Sequence, residues 1–449
     1  MKKILIISIS VILTINCFCQ QSNSGDITKY IQIIREHIYK DYKGMYREPK
    51  GALKYPYVTP GSQAYSTQLW DWDSWLSSIA LRQIVTEKGI ESEKQEAGKY
   101  EKGCVLNFLN FYAYGWMPIV VNDDLKDFND IIPENPFNVN CHKPMLAQQA
   151  AFVCKMNNGD AEWLRDKFFN LQSFVDRYIN YQKNKATGIY FWINDMAIGV
   201  DNDPSTFFRP ERSSGNLYLN CLMYKELKAM SYLAKQLNMT GIDTFYEKQA
   251  EELKTAIRNL CWDEWTGFYY SVDLNLLPVV QPNGKWQLHS GSPRNYDCLI
   301  QRFDTWCGFM AMWADIATPE EAKRMVEEHF KNEKTLNAAY GIRSMSKLEK
   351  MYDLRATGNP SNWRGPVWGI SNYLVFKALV KYGYQKEARE LAEKTILLFG
   401  KDYERFGTLH EYYLPDNGEP VLNKDFQDWN YLVLNMIAWY EEKPVIEEF

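Results

Sequence analysis

The sequence predicts an all-α fold, an (α/α)6 toroid of six helical hairpins with its long loops at one mouth. Three observations lead there: helical periodicity runs nearly end to end, short and long connections alternate strictly, and no fixed repeat period is present. Apolar residues recur at helical spacing over 27–43, 73–88, 92–112, 143–157, 160–182, 214–238, 242–260, 303–316, 319–331, 364–383, 385–400 and 424–441. Alternation of the β type is confined to short stretches such as GIYFWI and FYYSVDL.

Each segment has its own punctuation. The long connection after the first ends in LWDWDSW (69–75), where Asp71 and Asp73 are placed to cap the helix that follows. KGIE (88–91) turns the chain back into the third segment, and a second long loop with GWMP and NCHKP leads to the fourth. NNGD (157–160) gives the fifth, and a third long loop, WINDMAIGVDNDPS, the sixth. LNMTG (237–241) starts the seventh, whose exit CWDEWTGFYY begins the fourth long loop. ATPEE (317–321) joins the eighth and ninth. The tenth opens on NPSNWRGPVWG, where Pro366 suits the first turn of a helix. YGYQ (382–385) leads to the eleventh, and the loop with LHEYYLPDNG leads to the last. The short connections carry the Gly, Asn, Asp and Pro of turns between antiparallel helices. In an up-and-down array every odd-to-even connection lies at one end, so the long loops share a mouth. A helical-repeat solenoid would show self-similar repeats. No Pro- or Gly-rich linker divides residues 20–449, which reads them as one domain.

Residues 1–19 read as an export signal. Lys2 and Lys3 precede ILIISISVIL, too short for a permanent membrane span, and Cys17 and Cys19 are small residues where a signal peptidase reads. Cleavage before Gln20 gives a periplasmic or extracellular protein. A lipid anchor at Cys17 is the alternative, against which Thr14-Ile15-Asn16 is a poor approach. The net charge of −5 comes with no basic run, which argues against nucleic acid and an anionic membrane surface. Cys104, Cys141, Cys154, Cys221, Cys261, Cys298 and Cys307 are odd in number and lack CxxC spacing, so buried free thiols are expected. No HExxH pair occurs among the histidines, and neither a metal nor a cofactor is indicated.

The chemistry concentrates in two acidic loop motifs, GVDNDPS (199–205) and LHEYYLPDNGEP (409–420). They fall in the third and sixth long loops, opposite one another around a six-fold ring. A protonated carboxyl facing an ionised one is the minimal equipment for hydrolysing a glycosidic bond. Asp201 is the candidate acid: the apolar approach GIYFWINDMAIGV should strip water from it and raise its pKa. On the tripeptide alone, Asp-Asn-Asp before Pro is ordinary turn chemistry. Glu411 is the candidate base, kept ionised by hydrogen bonds while it holds the attacking water. Arg364, between Trp363 and Trp368, suits sugar hydroxyls or a nearby carboxylate. Flat amphipathic rings suit the apolar faces of sugars, which adds Trp70, Trp75, Trp363, Trp368, Tyr412 and Trp429 to the candidate binding set.

The segments WDWDSW, KPMLA, GVDNDP followed by NLYLN, LCWDEWTGFYY, YGIRSMS, NWRGPVWGISNYL, HEYYLPDNGEP and DWNYLVLNM together resemble the clan of inverting α-glycosidases. That clan includes trehalases, processing α-glucosidases and mannosylglycerate hydrolases. The resemblance spans roughly 70–440 and is strongest toward the α-glucosidase and mannosylglycerate hydrolase branch. It implies Asp201 as general acid, Glu411 as general base, and sugar contacts from Asp73, Asn202, Trp363 and Arg364. The family often reads F-H-E-N-Y-N-P where this chain has T-L-H-E-Y-Y-L-P, so Tyr412 replaces an Asn after the base. The signature pair of disaccharide-specific trehalases is not intact. The expected activity is exo-hydrolysis of a terminal α-linked glucose or mannose from a small carbohydrate. Arg209 and Arg212 suit a carboxylated leaving group such as glycerate. Two other readings compete. A polysaccharide lyase on the same toroid would draft Tyr412, His410 and Arg364. A non-catalytic sugar-binding protein would keep the aromatics without needing Asp201 and Glu411 together. An isoprenoid cyclase would need a doubled Asp that VDNDP lacks.

Overall fold

The structure, a computed structural model, describes residues 25–111, 113–277 and 294–449. The export signal and Cys17 lie outside the described residues. In chain order the principal helices are α1 over 25–41, α2 Asp71–Lys88, α3 Glu91–Asn110, α4 Leu146–Met156, α5 Phe168–Tyr181 and α6 Leu217–Gln236. They continue as α7 Ile242–Cys261, α8 (a 3-10 turn Trp306–Phe309 running into Met310–Trp313) and α9 (Pro319–Arg324, continued as a π turn Met325–Phe330). The last are α10 Gly369–Lys381, α11 Gln385–Phe406 and α12, a 3-10 turn Asp428–Leu432 running into Val433–Tyr440.

The even-numbered helices close a ring. α2 packs on α4, α4 on α6, α6 on α8, α8 on α10, α10 on α12, and α12 returns to α2. The odd helices lie outside them, with α3 on α2, α7 on α6 and α11 on α10. This is the toroid that the alternation of loops predicts, and the side chains show why each helix takes its place. α2 is buried at every residue from Asp71 to Val85, and α10 from Gly369 to Leu379. A helix apolar or neutral all round has to be enclosed on all sides. α7 buries only Tyr246, Ala250, Leu253, Ile257 and Cys261, one stripe at helical spacing, and turns its charges outward. Six of the cysteines are buried free thiols and Cys298 is half-buried. Among the described residues, no helix is long and apolar enough to cross a membrane.

Two expectations need correction. Residues 364–368 are not helical: Val367–Trp368 pairs antiparallel with Tyr412–Tyr413, and α10 begins only at Gly369. Pro366 therefore sits in the extended lead-in rather than in a first helical turn. Gly365 makes that lead-in possible at φ +146°, where a Cβ would come 2.6 Å from the Tyr352 ring. GIYFWI forms no strand, only a bridge between Lys183 and Tyr190. FYYSVDL does pair, Phe268–Tyr269 with Trp262–Asp263 and Val272–Asp273 with Ser214–Gly215. These short ladders lie in the long connections at the mouth.

Candidate active site

Five of the long connections, together with the first turns of α2 and α12, meet in a cavity of about 110 Å³ at the mouth. Asp201 and Glu411 both line it, although they come from opposite sides of the ring. Trp70, Asp73, Trp363, Trp368 and Trp429 line it too. Trp363 and Trp368 stack in parallel with centroids 4.0 Å apart, Trp72 meets Trp429 edge-on at 5.1 Å, and Phe426 packs on Trp429 at 4.8 Å. The result is an aromatic cup with carboxyl groups set into its wall.

The acid loop is held in three ways. Gly199 has φ +90°, and a Cβ there would lie 2.8 Å from Lys143 Cε and 3.2 Å from the Trp72 ring. Only glycine lets the backbone pass over them. Asn202 accepts a hydrogen bond from the Trp363 amide at 2.7 Å and donates to Asn362 Oδ1 at 3.2 Å. Asp203 accepts from Asn216 Nδ2 at 2.7 Å, and Asn216 caps α6 through the Leu219 amide at 3.0 Å. Asp201 itself accepts from Asn359 Nδ2 at 3.3 Å. Burial raises its pKa, with Ser361 and Asn359 opposing by favouring the ionised form.

Glu411 accepts from Asn423 Nδ2 at 2.6 Å and from the Tyr65 hydroxyl at 3.1 Å. The sequence reading expects these bonds to keep it ionised, but burial outweighs them. Its carboxyl is pushed up to about 7, and the charges on Asp73 and Asp201 add to the rise. Asp73 is likewise raised by burial, to about 6, and Asp428 well above the carboxylate range. Asp428 Oδ1 accepts from Ser77 at 2.7 Å, while Oδ2 of each aspartate has no donor in the described residues. One proton held between the two carboxyls satisfies both. Lys143, the cation in the wall, is already committed to Asp71 at 2.9 and 3.1 Å. Asp71 opens α2 and bonds the Trp72 amide at 2.7 Å, where a carboxylate is favoured by the helix dipole.

Four sequence candidates do not line this cavity. Trp75 lies one turn deeper in α2, 1% exposed and edge-on to Trp313, so it is core. Arg364 turns to Asp353, with Nη2 3.9 Å from its carboxylate. The cause is the extended backbone that Gly365 and the Val367–Trp368 pairing impose. Tyr412 backs Trp368 at 4.7 Å and donates its hydroxyl to the Pro360 carbonyl at 2.8 Å. Asn202 is the loop clamp described above. Conversely, Tyr65, Trp72, Lys143, Asn423 and Phe426 were not singled out. Trp72 and Lys143 stood inside WDWDSW and KPMLA, whereas Tyr65 and Asn423 sit in ordinary loop sequence and Phe426 at the start of the last predicted helix, with no signal of their own.

A family model described as mannosylglycerate hydrolase MGH1-like glycoside hydrolase domain matches residues 66–429. The chain belongs to that glycoside hydrolase family. It is 26% identical over 406 residues to a probable trehalase of Eremothecium gossypii, covering 78% of this chain and 50% of the relative. It is 23% identical over 414 residues to mannosylglycerate hydrolase MGH1 of Selaginella moellendorffii, covering 81% and 78%. A crystal structure of the GH63 mannosylglycerate hydrolase of Thermus thermophilus with glucose superposes with TM-score 0.62 at 18% identity, covering 91% and 98%. That likeness confirms the toroid. The chain spans about half the length or less of the trehalases it matches.

Proposed function

We propose that the protein is an exported, inverting, exo-acting α-glycosidase that removes one terminal glucose or mannose, with Asp201 as general acid and Glu411 as general base. The observation that carries this reading is the convergence of Asp201 and Glu411 on one aromatic cavity of about 110 Å³. Its small size supports recognition of a single terminal sugar. Family membership supports hydrolysis, and the Lys2-Lys3 segment with its apolar run supports export. Asp201 protonates the leaving oxygen while Glu411, steered by Tyr65 and Asn423, takes a proton from the attacking water. Asp73 faces the same space and suits the sugar hydroxyls.

The lyase reading loses its parts. Arg364 and Tyr412 stand outside the cavity, and His410 is bonded to Asp402 at 2.9 Å. A carboxylated leaving group is also poorly served. Arg209 pairs with Asp273, and Arg212 donates to Asn138 at 2.9 Å. Neither lines the cavity, and Lys143 there is neutralised by Asp71. A neutral α-glucoside or α-mannoside is therefore the favoured substrate over a glycosyl-glycerate. Proton NMR in the first minutes of hydrolysis tests the mechanism. An inverting enzyme releases the β-anomer from an α-glycoside before mutarotation; an initial α-anomer overturns the roles of both carboxyls.

A further inference from the structure

The inner helices start at the mouth, so their C-terminal halves frame the opposite end of the toroid. There, between α4, α6 and α10, lies a second and larger cavity of about 410 Å³. Five lysines line it against two carboxylates, Glu247 and Asp315. Lys228 takes up Glu247, and Lys381 gives one hydrogen bond to the Trp313 carbonyl at 2.9 Å, the usual service of a lysine at a helix end. Lys225 has no such explanation. It sits in the middle of α6, far from either end, with no hydrogen bond or ion pair among the described residues. Its ammonium lies 5.5 Å from the Trp313 ring and 5.7 Å from the Phe449 ring. Lys155 faces the same space, 4.2 Å from the Phe449 ring and likewise without a carboxylate partner among the described residues. Glu448, a buried carboxylate, accepts from Trp313 Nε1 at 2.9 Å and the Tyr373 hydroxyl at 3.1 Å and lies 3.7 Å from Lys377, so its charge is shared between Lys377 and Lys225. The Ser231 hydroxyl, also in the wall, is buried and faces Glu247, whose carboxylate it helps to keep ionised.

We propose that this cavity is a binding site for a small polyvalent anion of the phosphate class, held by Lys225, Lys155 and Lys381. Compact ammonium groups converging from three helices match the charge of a phosphate, which accepts hydrogen bonds on every side. The aromatic walls leave room for a small organic group on a phosphate ester. Without the anion, burial and the charges of Lys381 and Lys155 push Lys225 down to about 8, with Glu448 and Asp315 working the other way. A bound dianion reverses that, so affinity falls as pH rises through about 8.

Titration calorimetry of the full chain with inorganic phosphate tests the site, with acetate and chloride at matched ionic strength as controls. Saturable one-to-one binding to phosphate is expected, with neither control competing. Lys225→Met should weaken it by about tenfold or more, the loss of one charge-assisted contact. Lys155→Met should weaken it too. Thermal melts add a second readout. Because Lys225 is half-buried beside the like charges of Lys381 and Lys155, Lys225→Met should raise Tm in phosphate-free buffer and abolish the phosphate-induced rise of the wild type. The proposal is overturned by absence of saturable heat, by equal response to chloride, or by unchanged affinity in both variants. A Lys225→Met chain that unfolds also overturns it, since the lysine would then be structural.

Discussion

Asp201 and Glu411 share a cavity in which only one of them ionises easily. The working form carries one proton on the pair, in the tautomer with Asp201 protonated and Glu411 ionised, and the pair's last proton leaves near the value of about 7 to which Glu411 is raised. The rate constant kcat/KM on an α-glycoside should therefore fall as pH rises through about 7. Asp201→Asn removes the acid, a loss of about 10²–10⁴-fold on such a substrate. A glycosyl fluoride, whose leaving group needs little protonation, should be largely spared. On the fluoride the variant's rate should rise with pH as Glu411 ionises, the reverse of the wild-type slope on the glycoside. Equal losses on both substrates would remove Asp201 from the acid's role. Both carboxyls were legible in the sequence because each stands in a motif dense with turn and aromatic residues. Their partners were not. Tyr65 and Asn423 reach Glu411 from loops 346 and 12 residues away in sequence, and nothing local to either residue encodes that meeting.

The elements divide in the same way. Helices α2, α6 and α7 were legible to within a few residues because their packing is periodic, whereas the segment before α10 was misread as helix. Its extended form depends on a partner strand, Tyr412–Tyr413, some 45 residues on, and only the closed ring brings that strand alongside. This pairing joins the fifth and sixth long connections, and Asn202 clamps the third to the fifth. The acid loop is thus fixed by two side-chain clamps, Asn202 and Asp203, and by the close passage of its backbone at Gly199. Gly199→Ala tests this. The added methyl meets Lys143 and Trp72, and φ +90° is strained for alanine by about 1–3 kcal/mol. Displacing Asp201 by even 1 Å costs rate on the order of 10²-fold. The expected outcome is a large fall in kcat with Asp71, Lys143 and the helical circular dichroism intact. A variant with wild-type kcat would show that the loop is positioned by something other than its passage over Lys143 and Trp72.

Across the whole molecule, a ring of buried inner helices has no room for solvated charge, yet it encloses several carboxyls. Glu226 of α6 accepts the Ala147 and Gln148 amides at the start of α4, at 2.7 and 3.0 Å, and burial still pushes it up to about 8. Glu411 follows at about 7 and Asp73 at about 6. An unfolded carboxyl titrates near ~4, so between about pH 4 and 8 the folded chain binds more protons than the unfolded one. Stability from these groups is complete below the unfolded value and is lost as pH rises through the folded ones. The opposite set acts at lower pH. Asp263, Asp353, Glu441 and Glu448 are held at about 2 by their cationic partners and hydrogen bonds, and their contribution is lost only as pH falls below about 4. Tm should therefore peak near pH ~5 and decline steadily toward pH ~8. Glu226→Gln separates the contributions. It loses one acceptor to the α4 amides, so Tm at about pH 5 should drop. It no longer titrates, so the decline between about pH 7 and 8 should flatten. Scanning calorimetry of both proteins at half-unit steps decides it, and a decline equally steep in the variant would show that Glu226 enters the folded state already ionised.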